Sequence, residues 1–218
     1  MNRQDILKVV DHTVLKQTTT IEDIKTLIEQ GIEYGVASVC IPPSYVRFAS
    51  SYANGRLPIC TVIGFPNGYS ASEVKAFEAK SAINDGAAEI DVVINLCDVK
   101  NGEYDKVLSE LKLLRETCKG KVLKVIIETC MLTEEEKIKM CHIVSEAGAD
   151  YIKTSTGFGG GGATVADVIL MRENCASYVK IKASGGIRSF EDAEKLISAG
   201  ATRLGTSALV KLCMEEKV

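Results

Sequence analysis

The sequence predicts a single (β/α)8 TIM barrel over residues 1–218, and three observations predict it. Segments with the period of an amphipathic helix alternate with short apolar runs along the chain. A glycine that ends a helix turns directly into the next apolar run at Gly35, Gly86, Gly148 and Gly200. No linker, low-complexity run or shift in composition marks a second domain. A doubly wound open sheet is the alternative, because the same alternation builds both folds.

The elements follow one another in a regular order. The apolar runs that predict strands are 12–15, 37–41, 58–65, 88–95, 123–129, 150–155, 178–184 and 202–207. The segments with helical period are 20–30, 44–53, 71–83, 103–117, 134–147, 165–174, 190–199 and 209–217. Eight strands, each followed by a helix, fit a (β/α)8 barrel of compact size.

Composition and charge narrow the function. The chain is 46% hydrophobic and 25% charged, and its net charge is −3, so no broad cationic surface is expected to bind nucleic acid. No apolar window approaches 18 residues and the N-terminus has no signal-like apolar region, which predicts a cytosolic protein away from the membrane. The eight cysteines are scattered without a C-x-x-C pair, and only two histidines occur, so neither disulfides nor a metal site is expected.

Polar residues inside the apolar runs are the informative positions in this fold. Residues of a barrel strand alternate between the lumen and the helix layer, and catalytic groups collect at the C-terminal ends of the strands. This alternation turns Asp91, Lys153, Lys180 and Lys182 toward the lumen. Lys180, which precedes Lys182 by two residues, is expected to lie deeper in the barrel.

Buried lysines near a carboxylate can support covalent chemistry. A lysine removed from water is costly unless it is paired or loses its proton. Two close ammonium groups repel each other, which favours a free amine able to attack a carbonyl group. The alternative interpretation of Lys153, Lys182 and Asp91 is a structural ion pair with a spare lysine at the rim.

Three glycine-bearing loops follow neighbouring strands. They are GFGGGGA at 157–163, SGGIRS at 184–189 and GTSA at 205–208. Glycine lets backbone N–H groups approach a phosphate closely, and the loops after strands seven and eight are the usual phosphate site of these barrels. A flexible surface loop is the alternative for the glycine run alone.

The stretches that carry a family resemblance run in order along nearly the whole chain. They are DHTVLK (11–16), SVCIPP (38–43), EIDVVIN (89–95), LKVIIET (123–129), DYIKTSTGF (150–158), VKIKASGGIRS (179–189) and RLGTSA (203–208). On these motifs the chain resembles the deoxyribose-phosphate aldolases, class I aldolases that use a Schiff-base lysine. The resemblance implies reversible cleavage of 2-deoxy-D-ribose 5-phosphate to D-glyceraldehyde 3-phosphate and acetaldehyde, without metal or cofactor. A homodimer or a higher homo-oligomer is compatible with it.

The resemblance also implies roles for individual residues. Lys153 would form the imine, Lys182 would keep Lys153 in its free amine form, and Asp91 would shuttle protons through a water. The positions that match the substrate pocket are Asp11, Thr13, Leu15, Cys40 and Thr156. The positions that match the phosphate-binding loops are Gly157, Gly185, Gly186, Gly205, Thr206 and Ser207.

Two departures and two alternatives accompany this interpretation. Some members have a lysine where this chain has Phe158, and some have a serine where it has Ala208, so fewer side chains are expected to meet the phosphate. The first alternative is another lysine-imine barrel lyase of a phosphorylated sugar. The second is a catalytically silent barrel that binds a phosphosugar.

Overall fold

A computed structural model describes residues 1–215 of the chain as a closed barrel. Its strands are β1 Val10–Thr13, β2 Ser38–Ile41, β3 Ile59–Ile63, β4 Glu89–Val93, β5 Val122–Ile126, β6 Tyr151–Lys153, β7 Lys180–Ser184 and β8 Arg203–Thr206. Each strand pairs in parallel with the next in sequence, and β8 pairs with β1. The predicted (β/α)8 barrel is confirmed, and the open sheet is wrong because closure leaves no free strand edge.

Helices surround the barrel. They are α1 Arg3–Leu7, α2 Ile21–Tyr34, α3 Val46–Ala53, α4 Ser72–Asn84, α5 Leu96–Lys100, α6 Tyr104–Thr117, α7 Glu134–Glu146, α8 Val165–Asn174, α9 Phe190–Ala199 and α10 Leu209–Glu215. The five-residue helices α1 and α5 were not predicted, because so short a segment shows no helical period. The last predicted helix extends to 217, and its final residues lie outside the described part. Within residues 1–215, no helix has the length and apolar character needed to cross a membrane.

Reciprocal capping boxes fix where three of the helices begin. At the N-termini of α2, α7 and α9, the N-cap residue and the residue three positions later exchange side-chain and backbone hydrogen bonds. The pairs are Thr20 with Asp23, Thr133 with Glu136, and Ser189 with Asp192. These starts set the lengths of the loops that leave the C-terminal ends of the preceding strands.

Apolar side chains between the strands and the helices form the main core. Val39, Ile90, Val125 and Ile152, on the outer faces of their strands, are fully buried there. A separate small cluster of Cys40, Cys60 and Val62 lies on the inner face. The lumen is therefore filled by small and polar side chains rather than by the large aliphatic residues usual in these barrels.

Strand β1 begins two residues before the predicted run 12–15. Asp11 lies within the strand and pairs with Ser38 of β2 and Gly205 of β8. The apolar residues Val14 and Leu15 follow the strand instead of forming it. The predicted strand lies too far toward the C-terminus because the prediction followed the apolar residues. The actual strand carries a charged residue, Asp11, that faces the lumen.

Lys180 does not lie deep in the barrel, and that expectation is wrong. It is the first residue of β7 and is exposed, with its Nζ 5.8 Å from the centre of the Tyr151 ring. Lys180 lies at the N-terminal end of its strand, where its long side chain reaches solvent.

Candidate active site

The carboxylate of Asp91 lies at the centre of the lumen. Its Oδ2 is 2.7 Å from the Nζ of Lys153 and 2.6 Å from the Nζ of Lys182. Its Oδ1 accepts from the Nζ of Lys124 at 2.8 Å and from the Sγ of Cys60 at 3.2 Å. Four neighbouring strands, β4 to β7, thus supply one carboxylate and the three amines around it, and β3 adds the thiol.

A second carboxylate, that of Asp11, supports the same lysines from β1. Its Oδ2 accepts from Lys182 and lies 3.5 Å from the Nζ of Lys124. Its Oδ1 is 2.8 Å from the Nε of Arg203 and accepts from the Oγ of Ser38 at 2.7 Å. Asp11 is fully buried, and Lys182 therefore pairs with two buried carboxylates.

Glu89 forms the lowest part of this arrangement, two residues before Asp91 on β4. Its Oε2 is 2.6 Å from the Nζ of Lys124, and its Oε1 pairs with Arg203. We refer to the connected charged side chains as the lumen network: Asp11, Glu89, Asp91, Lys124, Lys153, Lys182 and Arg203. It holds four basic groups against three carboxylates, so loss of one proton makes it neutral.

The barrel register explains why these side chains meet. Asp91 is paired with Lys124 across β4 and β5, and Lys153 with Lys182 across β6 and β7. Lys182 is in turn paired with Arg203 across β7 and β8. Paired residues of adjacent strands point to the same side of the sheet, so the basic side chains converge on the carboxylates.

The charges set the protonation of the network. Burial alone would raise the pKa of the Asp91 carboxyl, but the ammonium groups of Lys124, Lys153 and Lys182 hold it well below its ordinary value. Burial alone would lower the pKa of Lys182, but Asp11 and Asp91 raise it above the ordinary lysine value. Asp91 is therefore ionised, and Lys182 protonated, throughout the neutral pH range.

Lys153 differs from the other basic groups of the network. Its side chain is 4% exposed, whereas those of Lys124 and Lys182 are completely buried. Lys153 is the last residue of β6 and pairs with one carboxylate, that of Asp91. Lys182 and Arg203 each pair with two carboxylates, and Lys124 pairs with three. Its amine is thus the one nearest the C-terminal mouth of the barrel.

A cavity of about 310 Å³ opens at that mouth. Leu15, Val62, Phe65 and Phe158 are among the side chains that line it. Leu15 and Phe65 also pack on the inner-face cluster that contains Cys40. The rings of Phe65 and Phe158 meet edge to face with their centres 5.3 Å apart. The cavity therefore has an apolar wall above the lumen.

The glycine-bearing loops after β6, β7 and β8 join into one rim. A Cβ atom on Gly162 would lie 2.5 Å from the carbonyl oxygen of Gly185, so the first two loops touch through their backbones. The Oγ1 of Thr206 donates to the carbonyl oxygen of Ile187 at 2.9 Å, which links the third loop to the second. Both Gly185 and Gly186 have the left-handed φ values that favour glycine.

The structure places the predicted residues in four sets. Asp11, Asp91, Lys153 and Lys182 meet in the lumen network, and Leu15 and Cys40 lie around the mouth cavity and the cluster below it. The hydroxyl of Thr13 donates to the carbonyl oxygen of Asp11 at 2.7 Å, and that of Thr156 donates to Glu128. The six loop residues lie at the C-terminal ends of β6, β7 and β8: Gly157, Gly185, Gly186, Gly205, Thr206 and Ser207.

Sequence reasoning missed several members of this arrangement. Lys124 and Arg203 are single basic residues inside predicted strands, and the alternation that indicated Lys153 applies equally to them. Glu89 shares the inner face of its strand with Asp91 and was recognisable in the same way. Glu128 falls inside the predicted run 123–129 on the same alternating face as Lys124, but β5 ends at Ile126, so the strand alternation does not extend to Glu128 in the structure.

The fold and the lumen network define an enzyme barrel with a buried amine at its mouth. The model of the DeoC/LacD family of aldolases matches residues 6–213. A deoxyribose-phosphate aldolase of Clostridioides difficile (strain 630) is 58% identical over 211 residues, which cover 97% of this chain and 96% of that protein. The chain belongs to the DeoC/LacD aldolase family.

Solved structures agree with this assignment. An aldolase designated QR15 superimposes with a TM-score of 0.93 and 42% identity, covering 98% of this chain and 96% of that one. A tetrameric deoxyribose phosphate aldolase from Aeropyrum pernix superimposes with a TM-score of 0.90 and 32% identity, covering 99% and 92%. The barrel and its strand order are thus shared over nearly the full length of both chains.

Replacing Lys124 by Met should destabilise the protein and shift its acid unfolding. Breaking a buried ion pair costs about 3–5 kcal/mol. A lowered pKa of Asp91 contributes stability above the unfolded value of about 3.9, and that stability is lost as the pH falls through the folded value. Without Lys124 the folded value rises, so unfolding should begin at a higher pH when followed by circular dichroism.

The control for this variant is Lys112→Met. Lys112 pairs with Glu146 on the surface and is 53% exposed, so its loss should change stability by less than about 1 kcal/mol. An acid transition of Lys124→Met that coincides with that of the parent protein would contradict the electrostatic role of Lys124.

Proposed function

We propose that this chain is a deoxyribose-phosphate aldolase that reversibly cleaves 2-deoxy-D-ribose 5-phosphate to D-glyceraldehyde 3-phosphate and acetaldehyde. The relative from Clostridioides difficile bears that name and aligns with nearly the whole chain. The observation that carries the proposal is the amine of Lys153, buried at the end of β6 and 2.7 Å from the carboxylate of Asp91. Such an amine can attack an aldehyde that enters through the mouth of the barrel.

Lys153 is the nucleophile in this proposal. An amine attacks a carbonyl only in its uncharged form, so one lysine of the network must lose its proton. Loss of the proton from Lys153 disrupts a single ion pair, whereas loss from Lys182 disrupts two. The network then becomes neutral, with Lys124, Lys182 and Arg203 balancing its three carboxylates.

The reaction follows from that amine. The Nζ of Lys153 adds to the C1 aldehyde of the open-chain sugar, and loss of water gives a protonated imine. The C3 hydroxyl gives up its proton as the C2–C3 bond breaks, and the bonding electrons pass to the imine and form an enamine. D-Glyceraldehyde 3-phosphate leaves, the enamine takes a proton at C2, and water hydrolyses the imine to release acetaldehyde and restore the lysine.

Asp91 and Lys182 serve as the proton-transfer pair. The Oδ2 of Asp91 contacts both Lys153 and Lys182, so it can take up the proton that leaves Lys153 while the Lys182 ammonium group donates a hydrogen bond to the same oxygen. A water held at this oxygen would carry protons to and from the substrate. Asp11, which the sequence placed in the substrate pocket, is engaged by Lys182 and Arg203, and we assign it to holding Lys182 in place.

The rest of the site binds the substrate in this proposal. Thr13, Leu15, Cys40 and Thr156 surround the carbon chain. The rim of three loops binds the phosphate through backbone N–H groups at Gly157, Gly185, Gly186, Gly205, Thr206 and Ser207. Phe158 supplies an aromatic wall where some family members have a lysine. Binding of the phosphate therefore depends more on backbone N–H groups in this chain than in those members.

We also propose that the protein is cytosolic and assembles into a homo-oligomer. All eight cysteines are free thiols, which fits a reducing compartment. Tyr69, Val74 and Phe77 are 65%, 56% and 75% exposed, and they line one shallow cavity of about 440 Å³ on and before α4. A contiguous exposed apolar patch of this kind is typical of a subunit interface. The tetrameric relative from Aeropyrum pernix supports assembly.

Borohydride reduction in the presence of acetaldehyde should trap a two-carbon adduct on Lys153. Reduction makes the imine permanent, and mass spectrometry of proteolytic fragments locates it. Lys153→Leu should abolish the adduct, whereas Lys180→Leu, at the opposite end of the barrel, should retain it. An adduct confined to Lys182 would reverse the roles of the two lysines, and absence of any adduct would leave only a phosphosugar-binding barrel.

Ser207→Asp should weaken use of the phosphorylated substrate by about tenfold or more relative to unphosphorylated 2-deoxyribose. The new carboxylate would place a negative charge beside the bound phosphate. The measurement is kcat/KM for both sugars. Ser177→Asp, exposed at the start of the strands, is the matched control and should change neither value. Equal losses for the two sugars in Ser207→Asp would place the phosphate elsewhere.

Phe77→Lys should shift the protein toward the monomer in light scattering after size exclusion. A charge at the centre of an apolar interface disfavours association, because the buried amine would lose its water. Tyr178→Lys, an exposed aromatic residue near the start of β7, should leave the mass unchanged. A monomeric parent protein would refute the proposed assembly.

A further inference from the structure

Glu128 is a buried carboxylate in a strained backbone conformation just beyond β5. Its φ is +51°, one of two positive values among the non-glycine residues of 1–215, and it is 3% exposed. A residue with a side chain adopts this conformation at a cost and keeps it only where its surroundings require it. The contacts of Glu128 must therefore be strong.

The strain arises from an extra residue in the pairing of β5 with β6. The N–H of Ile127 donates to the carbonyl oxygen of Lys153 at 3.0 Å, and the N–H of Thr129 donates to that of Thr154 at 2.9 Å. An advance of two residues after β5, from Ile127 to Thr129, thus matches an advance of one residue after β6, from Lys153 to Thr154, as in a β-bulge. Glu128 is the extra residue, and the bulge turns its side chain toward the segment that follows Lys153.

The carboxylate of Glu128 fixes Thr156. The N–H of Thr156 lies 3.2 and 3.3 Å from the two carboxylate oxygens, and its hydroxyl donates to Oε2. The same hydroxyl accepts from the N–H of Phe158 at 3.0 Å. A hydroxyl has one proton and two lone pairs, so Thr156 retains one lone pair and no free proton.

The loop passes directly over this carboxylate. A Cβ atom on Gly159 would lie 2.8 Å from the Cδ of Glu128, so glycine is needed for the approach. A third cavity, of about 620 Å³, lies beside the mouth of the barrel and is lined in part by Glu128, Thr156, Phe158 and Gly159. The carboxylate thus holds the start of the glycine loop three residues after Lys153, at the edge of the site.

We propose that Glu128 is a positioning residue that holds Thr156 as a hydrogen-bond acceptor toward a hydroxyl group of the substrate. Because the proton of the Thr156 hydroxyl is committed to Glu128, a substrate hydroxyl must donate to Thr156 rather than accept from it. Glu128 acts through Thr156, and the inference rests on the proposed function of Lys153.

The test compares four variants by kcat/KM for 2-deoxy-D-ribose 5-phosphate. Glu128→Gln replaces one acceptor oxygen by an NH₂ group and removes the negative charge, which weakens the hold on the Thr156 hydroxyl. It should lower kcat/KM on the order of 10- to 100-fold, as should Thr156→Val. Thr156→Ser, which keeps the hydroxyl, should recover most of the kcat/KM that Thr156→Val loses. The double variant Glu128→Gln with Thr156→Val should lose no more than Thr156→Val alone.

Asp167→Asn is the matched control. Asp167 is also a buried carboxylate that accepts from a threonine, with the Oγ1 of Thr164 at 2.8 Å, but it lies at the start of α8 where the glycine loop ends. The Asp167→Asn variant should lower the melting temperature about as much as Glu128→Gln does, but it should keep kcat/KM within about threefold of the parent value.

The outcomes separate the two proposals. Trapping with borohydride is repeated on every variant, and an adduct on Lys153 of the parent protein establishes the imine independently of Glu128. Without that adduct the proposed function fails, and the positioning role fails with it. If the adduct forms, either of two results overturns the role of Glu128. One is a double variant whose loss in kcat/KM equals the product of the two single losses. The other is a loss in kcat/KM for Glu128→Gln no larger than that for Asp167→Asn. If Glu128→Gln does not fold, equal activity of Thr156→Val and Thr156→Ser overturns it.

Discussion

The sharing of the Asp91 carboxylate among three lysines is the interaction on which the rest of the site depends. Charges taken out of water are tolerated only when they are paired, and here each carboxylate of the lumen contacts at least two basic groups. The pairing lets a barrel of this size carry amines in its centre in place of aliphatic packing. Lys153 has the fewest partners and lies nearest the mouth, so the balance that stabilises the lumen leaves its amine the most accessible one, and this is why we propose it as the nucleophile.

The glycine-bearing loops pack tightly around the opening above the lumen. Gly159 passes against Glu128, Gly161 against Cys130 and Gly162 against Gly185, each at a distance that a side chain would prevent. The glycine run is therefore a closely packed rim rather than a flexible surface loop, and β5 supports it through Glu128.

Much of the fold and part of the site were predictable from local pattern. The alternation of helical and apolar segments gave eight strands in the observed order, and the two-residue period within strands indicated Asp91, Lys153 and Lys182. The errors have physical reasons. Strand β1 was displaced because its inner residue is Asp11, and Lys180 was placed too deep because the pattern gives the face of a strand but not the level at which the barrel opens.

The sequence by itself determined the alternation of eight strands with helices, the inward direction of Lys153 and Lys182 and the family resemblance, because these depend on periodicity and on motifs contiguous along the chain. Only the tertiary structure decided which charges meet. Lys124, Arg203 and Glu89 join Asp91 and Asp11 through closure of the sheet and the register between strands, and Glu128 reaches Thr156 through a bulge that no spacing in the sequence indicates. The local sequence pattern fixes the face of the strand to which a side chain points. The energy of an ion pair depends instead on the distance between two side chains whose residues lie far apart in the chain.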